Sequence, residues 1–268
     1  NIAALTQRAA TYLAEKNYNA AQIDAKEILK ADPTDLPAKL VLSTSYAEND
    51  NAVEALEILN SLNDSQKKLP EVAALRGRIL ESTADNPKSL ELLEKTLVTD
   101  ANNVAVLGQL CRVARTVNPN KAADYCRRAL EIEPTSVTFA TGYGAALVRA
   151  KRFPEAAGVL QQVLAIAPDN YPARANFAVS LFELKRYSEA IKQYEQISVL
   201  KPNLAVTFYF LATAHDLLGE YDDAMKNYQK FLSLADIQQN QLEISKVNFR
   251  LPTLAKQIKK GQGKKPVK

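Results

Sequence analysis

One pattern constrains this chain more than any other. The segment KRYSEAIKQYEQISVLKP (185–202) recurs as KRFPEAAGVLQQVLAIAP (151–168) and as EKNYNAAQIDAKEILKADP (15–33). Each copy has an aromatic, an Ala three residues on, and a Pro twelve beyond that Ala. GEYDDAMKNYQKFLSLAD (219–236) is the same unit with Asp236 in the place of Pro. Taking the Ala as marker, the series runs Ala21, Ala55, Leu90, Ala122, Ala156, Ala190 and Ala224, with steps of 34, 35, 32, 34, 34 and 34. A period of this size means one supersecondary unit per copy, each unable to bury its apolar face except against its neighbours.

Within a copy there are two apolar stretches with helical spacing. In the sixth, Phe177, Ala178, Leu181 and Leu184 share one face, and Ala190, Ile191, Tyr194 and Ile197 repeat the pattern. The turn between them holds the aromatic (Tyr18, Phe153, Tyr187, Tyr221), and the small marker lets two helices approach closely. Pro33, Pro134, Pro168 and Pro202 then stop the second helix, since proline lacks the amide donor and disfavours helical geometry in the residue before it. In the third and fourth copies the turn has no aromatic and instead carries Asn86-Pro87 and Asn118-Pro119, a cap followed by a helix-starting proline, which predicts a shortened turn.

These residues resemble the tetratricopeptide repeat, a helix-turn-helix unit of 34 residues. The resemblance implies an all-α, right-handed superhelix of seven repeats at about 2–35, 36–70, 71–102, 103–136, 137–170, 171–204 and 205–236, together the solenoid 1–236. The first-helix signature is eroded, with Leu5, Lys39, Leu75, Leu107, Ala140, Arg174 and Phe208 in the Trp position. Where the family has Leu-Gly, this chain has Tyr143-Gly144, Phe177-Ala178 and Leu211-Ala212. Apolar spacing from Leu242 to Ile258 predicts a C-terminal capping helix within 237–260, bent near Pro252, and 261–268 reads as a flexible basic tail.

The resemblance places function on the groove lined by the first helices, where family members hold peptides or extended segments of partner proteins. Carried over by register, groove positions are Thr6 and Ala10, Leu40 and Thr44, Arg76 and Leu80, then Gln109, Arg112 and Arg115. The later copies give Thr141, Ala145 and Arg149, Asn176 and Val179, and Tyr209, Thr213 and Asp216. Arg76, Arg112, Arg115 and Arg149 are expected to line the middle of the groove, where guanidinium forks suit carboxylates. Asn176 would bond an extended backbone and Tyr209 would add apolar contact, so an acidic or C-terminal peptide is the expected ligand. The alternative is that these arginines sit on solvated edges or pair with nearby acids. Chaperone-binding members clamp carboxylates with Lys and Asn, groups that Thr6, Ala10 and Val41 do not supply.

Composition narrows the remaining classes. With 8 Gly and a single His among 268 residues, glycine-rich nucleotide folds, histidine-metal sites and Ser-His-Asp machinery are disfavoured, and neither a cofactor nor catalysis is expected. His215 is expected as a core imidazole with one hydrogen bond. Cys111 and Cys126 face each other across the fourth helix pair and are expected to pack as buried thiols, with a disulfide pinning the helices the alternative outside the cytosol. Acid pairs such as Asp222-Asp223 read as solubility rather than acid-base chemistry. The longest uncharged stretch, Pro134 to Val148, is too short to span a bilayer. Because the chain begins at Asn1, an upstream signal or anchor is expected to have been removed, and no compartment is assigned.

Every acid lies at or before Glu243, while eight bases follow it, so the rest of the chain carries 26 bases against 30 acids, a net charge of −4. Lys256, Lys259 and Lys260 share a helical side ahead of Lys264, Lys265 and Lys268, expected to form a solvated end capable of weak contact with anionic surfaces. The resulting expectation is a non-enzymatic scaffold for another polypeptide, with self-assembly of the solenoid as the competing reading and no sequence-specific nucleic-acid partner.

Overall fold

The computed structural model of the chain describes residues 1–82, 90, 91, 93, 94, 97, 98 and 101–263. The Asn86-Pro87 cap, the Leu80 side chain and the lysines from 264 onward lie outside the described residues. Among the described residues every regular element is helical: α1 (Ile2–Ala14), α2 (Tyr18–Ala31), α3 (Leu36–Glu48), α4 (Ala52–Asn60), the single turn α5 (Asp64–Lys67) and α6 (Pro70–Ser82). There follow α7 (Val104–Val117), α8 (Pro119–Ile132), α9 (Val137–Arg149), α10 (Phe153–Ile166), α11 (Tyr171–Glu183), α12 (Tyr187–Leu200), α13 (Ala205–Leu218), α14 (Tyr221–Leu234) and α15 (Gln241–Lys259). The chain forms two compact units, Asn1–Phe139 and Ala140–Lys268, each built from helices packed against their sequence neighbours.

Polar caps start many of these helices. The side chains of Asn17, Asp35, Asn103, Asn118 and Asn170 each accept a hydrogen bond from the backbone N–H three residues on, satisfying a donor that the helix cannot. Helices α2, α8, α10 and α12 end at Ala31, Ile132, Ile166 and Leu200, each two residues before a proline, as the sequence predicts. The aromatics Tyr18, Phe153, Tyr187 and Tyr221 open the second helices rather than sitting in the turns.

The turns within the hairpins share one backbone solution. Lys16, Asp50, Lys151, Lys185 and Gly219 are all left-handed, with φ between 59° and 77°. In each, the next residue's N–H reaches back to a carbonyl in the last turn of the first helix, for example Arg186 N to Leu181 O at 2.9 Å and Glu220 N to His215 O at 2.8 Å. This double closure ends a helix with a left-handed residue and satisfies carbonyls otherwise left open. The fourth hairpin differs: Asn118 alone both ends α7 and caps α8, and Pro119 opens the second helix.

The first helices begin at Ile2, Leu36, Pro70, Val104, Val137, Tyr171 and Ala205, so their starts stay 33 or 34 residues apart even where the marker steps drift. Their eighth residues are Ala9, Ser43, Gly77, Cys111, Gly144, Ala178 and Ala212, all buried and all small. A Cβ on Gly144 would stand 2.4 Å from the Leu160 side chain, and one on Gly77 would stand 2.9 Å from Leu93. The marker residues Ala21, Ala55, Ala122, Ala156, Ala190 and Ala224 are fully buried on the facing helices. Small side chains at both sites bring each pair close, and larger apolar groups fill the space between hairpins. In the first unit Ala55, Leu59, Leu62, Val72, Leu75 and Ile79 form one such layer. In the second, Val247 and Leu254 of α15 close over Ala212, Ala224, Tyr228 and Phe231.

Helix α15 runs unbroken through Pro252, where the sequence predicts a bend. Pro252 and Asn248 are both exposed, so the carbonyl that loses its helical donor lies on the water side of the helix. Arg250 docks this helix on α13 through two bonds to Asp216, at 2.7 and 2.8 Å.

Candidate binding groove

Helices α3, α6 and α7 of the first unit build a cavity of about 390 Å³ lined by Leu40, Thr44, Glu71, Ala74, Leu75, Arg78 and Gln109. Leu40 and Thr44 are the fifth and ninth residues of α3, and Ala74 and Arg78 hold the same places on α6. Residues four apart share a helix face, so these positions present one wall to whatever enters. Leu40, Leu75 and Ala74 supply the apolar part, Thr44 and Gln109 the hydrogen-bonding part, and the exposed Arg78 and Glu71 the charges.

Leu40, Thr44 and Gln109, all read by register as groove positions, line this one cavity. Arg76 does not line the cavity; Arg78 does. Two residues along a helix turn a side chain by about 200°. Arg76 lies half-buried, and desolvation pulls its guanidinium below the usual arginine range. Arg112 stands next to the cavity on α7, donating to the Gln109 side chain, and the Arg115 Nε donates to the Arg112 carbonyl. The signal that locates Arg78 is the helix start: counting from Pro70 rather than from the marker Leu90 selects Ala74 and Arg78.

Arg149, Asn176 and Tyr209 belong to the second unit. Arg149 is exposed at the end of α9. The Asn176 amide donates to Pro172 O at 2.8 Å in its own helix, leaving the side-chain oxygen as acceptor. The Tyr209 ring packs against Phe231 and Phe210, with centroids 5.4 and 5.6 Å away, so it is committed to the protein's own core layer. Asp216 likewise is taken up by Arg250.

His215, expected in the core, is part-buried at the edge of a cavity, and its Nδ1 lies 2.7 Å from Glu220 Oε2. Both line a second cavity, about 550 Å³, with Glu195, Phe208, Leu211 and Asp223. Among the described residues no group of three His, Cys, Asp or Glu is placed to hold a metal ion. The expectation of two buried thiols is corrected: Cys111 and Cys126 are joined by a disulfide, their Cα atoms 4.9 Å apart. Cys111 occupies the small eighth position of α7, where the helices approach most closely, and that distance lies within the span a disulfide bridges. Both residues are buried, and the bond fixes α8 against the helix that carries Gln109 and Arg112.

Models of the tetratricopeptide repeat match residues 12–79 and 147–206, and a further one matches 205–237, together more than half the chain. No curated protein sequence matches. Among solved structures, a tetratricopeptide repeat protein from Parabacteroides merdae superposes with a TM-score of 0.67 at 14% identity, covering 92% of this chain and 98% of its own. MamA AMB-1 gives 0.56 at 23% identity over 60% of this chain and 96% of its own. A double mutant of MamA RS-1 gives 0.57 at 16% over 67% and 98%. At these identities the likeness is one of fold. No described helix is long and apolar enough to cross a membrane.

Proposed function

The chain belongs to the tetratricopeptide repeat family, and we propose that it is a non-enzymatic scaffold whose first-helix wall holds an extended, acidic segment of another protein. The observation that carries this reading is the 390 Å³ cavity shared by three successive first helices, with an apolar floor and Arg78 at its edge. Arg112 and Arg115 follow Gln109 along α7, and Arg78 and Glu71 both line the cavity. A ligand with an apolar residue flanked by carboxylates would seat the former on Leu40 and Leu75 and the latter beside the guanidinium groups, which accept carboxylates in a forked, two-bond geometry. Because the wall is fixed by packed helices, ordering cost falls mainly on the peptide. Thr44 and Gln109 would bond its backbone.

Fluorescence anisotropy with a labelled peptide of alternating Glu and Leu, beside its Lys and Leu counterpart, tests this. The acidic peptide should bind and the basic one should not, and Arg78→Glu should weaken binding about tenfold or more, as loss of a charge-assisted pair does. Arg76→Ala should leave binding unchanged, while Arg112→Glu should weaken it by less than Arg78→Glu. Equal binding of both peptides, or an Arg78→Glu variant indistinguishable from the parent, would overturn the reading.

A further inference from the structure

We infer that the outward face of α15 is a docking surface for an anionic lipid bilayer. This goes beyond the groove reading and stands independently of it. Helix α15 buries Val247 and Leu254, with Ile244, Leu251 and Ile258 packed beside them. Its opposite side carries Leu242, Phe249 and Lys256, spaced seven apart and therefore aligned to within about 20° per step. Phe249 is 88% exposed and Leu242 62%, the former the most exposed large apolar side chain in the described protein. On a folded surface a lone apolar residue is ordinary. Here the two form a line along the helix, and that line is bordered by cations.

Lys246, Lys256, Lys259 and Lys260 are all exposed, and none forms an ion pair among the described residues. Glu243 is the last acid in the chain, and Arg250 is already neutralised by Asp216. The face is thus cationic in a chain whose remainder is net negative. A helix with apolar residues along its outer line and lysines on either side is suited to lie in the headgroup plane, the aromatic ring entering the acyl boundary while the ammonium groups meet lipid phosphates. Thr253 and Ser245, exposed between them, are compatible with that depth. A second apolar helix would bury these lysines without partners, so a protein core is a poorer match for the same face.

The occupant is testable with the full chain. Sedimentation with vesicles of phosphatidylcholine alone, and of phosphatidylcholine mixed with phosphatidylglycerol, should show binding to the anionic vesicles only, reversed by high salt. Lys246→Glu with Lys256→Glu should reduce the partition coefficient about twentyfold or more, each lysine near such a surface contributing about fivefold. Phe249→Ser should reduce it about tenfold, the scale expected for partial burial of an aromatic ring. Lys68→Glu, an exposed control in the first unit, should change nothing. Replacing Lys264, Lys265 and Lys268 together by Gln should leave most of the binding. The inference fails if neutral vesicles bind equally or anionic ones not at all. It also fails if Phe249→Ser binds as the parent does, if the three tail lysines account for all binding, or if single-stranded RNA binds more tightly than the anionic vesicles.

Discussion

In five hairpins the chain leaves the first helix through a left-handed residue, while the fourth passes from α7 to α8 through Asn118 alone. The crossing beneath the turn differs as well. In the fifth hairpin Gly144 lies under Leu160, a small residue against a large one; in the fourth, Cys111 meets Cys126, and two small residues share a covalent bond. In the first, Arg8 binds the buried Asp24 across the pair through two bonds of 2.7 Å. Three fasteners therefore hold the same helix pairing. The spacing of first-helix starts scarcely responds to which is used. What the family architecture fixes is where each first helix begins, and the hairpin interior adapts.

That comparison can be broken in several places. The largest effect belongs to the disulfide: Cys111→Ala with Cys126→Ala, or reduction, should cost about 3 kcal/mol in urea unfolding, the chain-entropy value for a loop of this length. A loss well under 1 kcal/mol would mean that the crossing is as secure without the bond as with it. Next, Gly144→Val forces side-chain atoms into the space of Leu160 and should destabilise by about 2 kcal/mol, a typical overpacking cost. A Cβ at the same helical place in α7 is already accommodated, so the two hairpins should respond differently to added bulk.

A smaller effect comes from the first hairpin. Arg8 hydrogen bonds hold the Asp24 carboxyl below the usual aspartate range. Its contribution is therefore fully present above the unfolded value near pH 4 and is lost as pH falls through the lower folded one. Since Arg8 is half exposed, Asp24→Asn should cost only about 1 kcal/mol at neutral pH. The unfolding midpoint of that variant should vary less than the parent's between pH 5 and pH 2, a range of about three units around the aspartate value. An unchanged slope would show that the pair is decorative. Smallest of all, Lys185→Gly removes the cost of a left-handed Cβ and should stabilise by about 0.5 kcal/mol after the added freedom of the unfolded chain is counted, detectable as a raised Tm.

The helical hairpins were legible because prolines, caps and small residues act locally. Pro33, Pro134, Pro168 and Pro202 end helices by backbone chemistry that needs no partner, and the marker alanines announce close approach wherever they stand. The groove was legible only in part. Register counted from Ala markers passes through the hairpin turn, and the turn varies in length, so the offsets that give Leu40 and Thr44 land on Leu75 and Ile79 when taken from Leu90, while the helix start leads to Ala74 and Arg78. The disulfide was not settled by sequence, because a buried cysteine packs like any small apolar residue and pairing depends on a distance between backbones. Tyr209 and Asp216 illustrate a third limit. Both lie at wall positions of a first helix, yet Phe231 engages one and Arg250 of the closing helix engages the other.

The tolerance of the turns has a practical side. Since first-helix starts keep their places while the linking residues differ, the bend at Asp50 could take a foreign loop and still leave the start of α6 in place. A reporter peptide carried there would show whether the second hairpin keeps its pairing with a longer link.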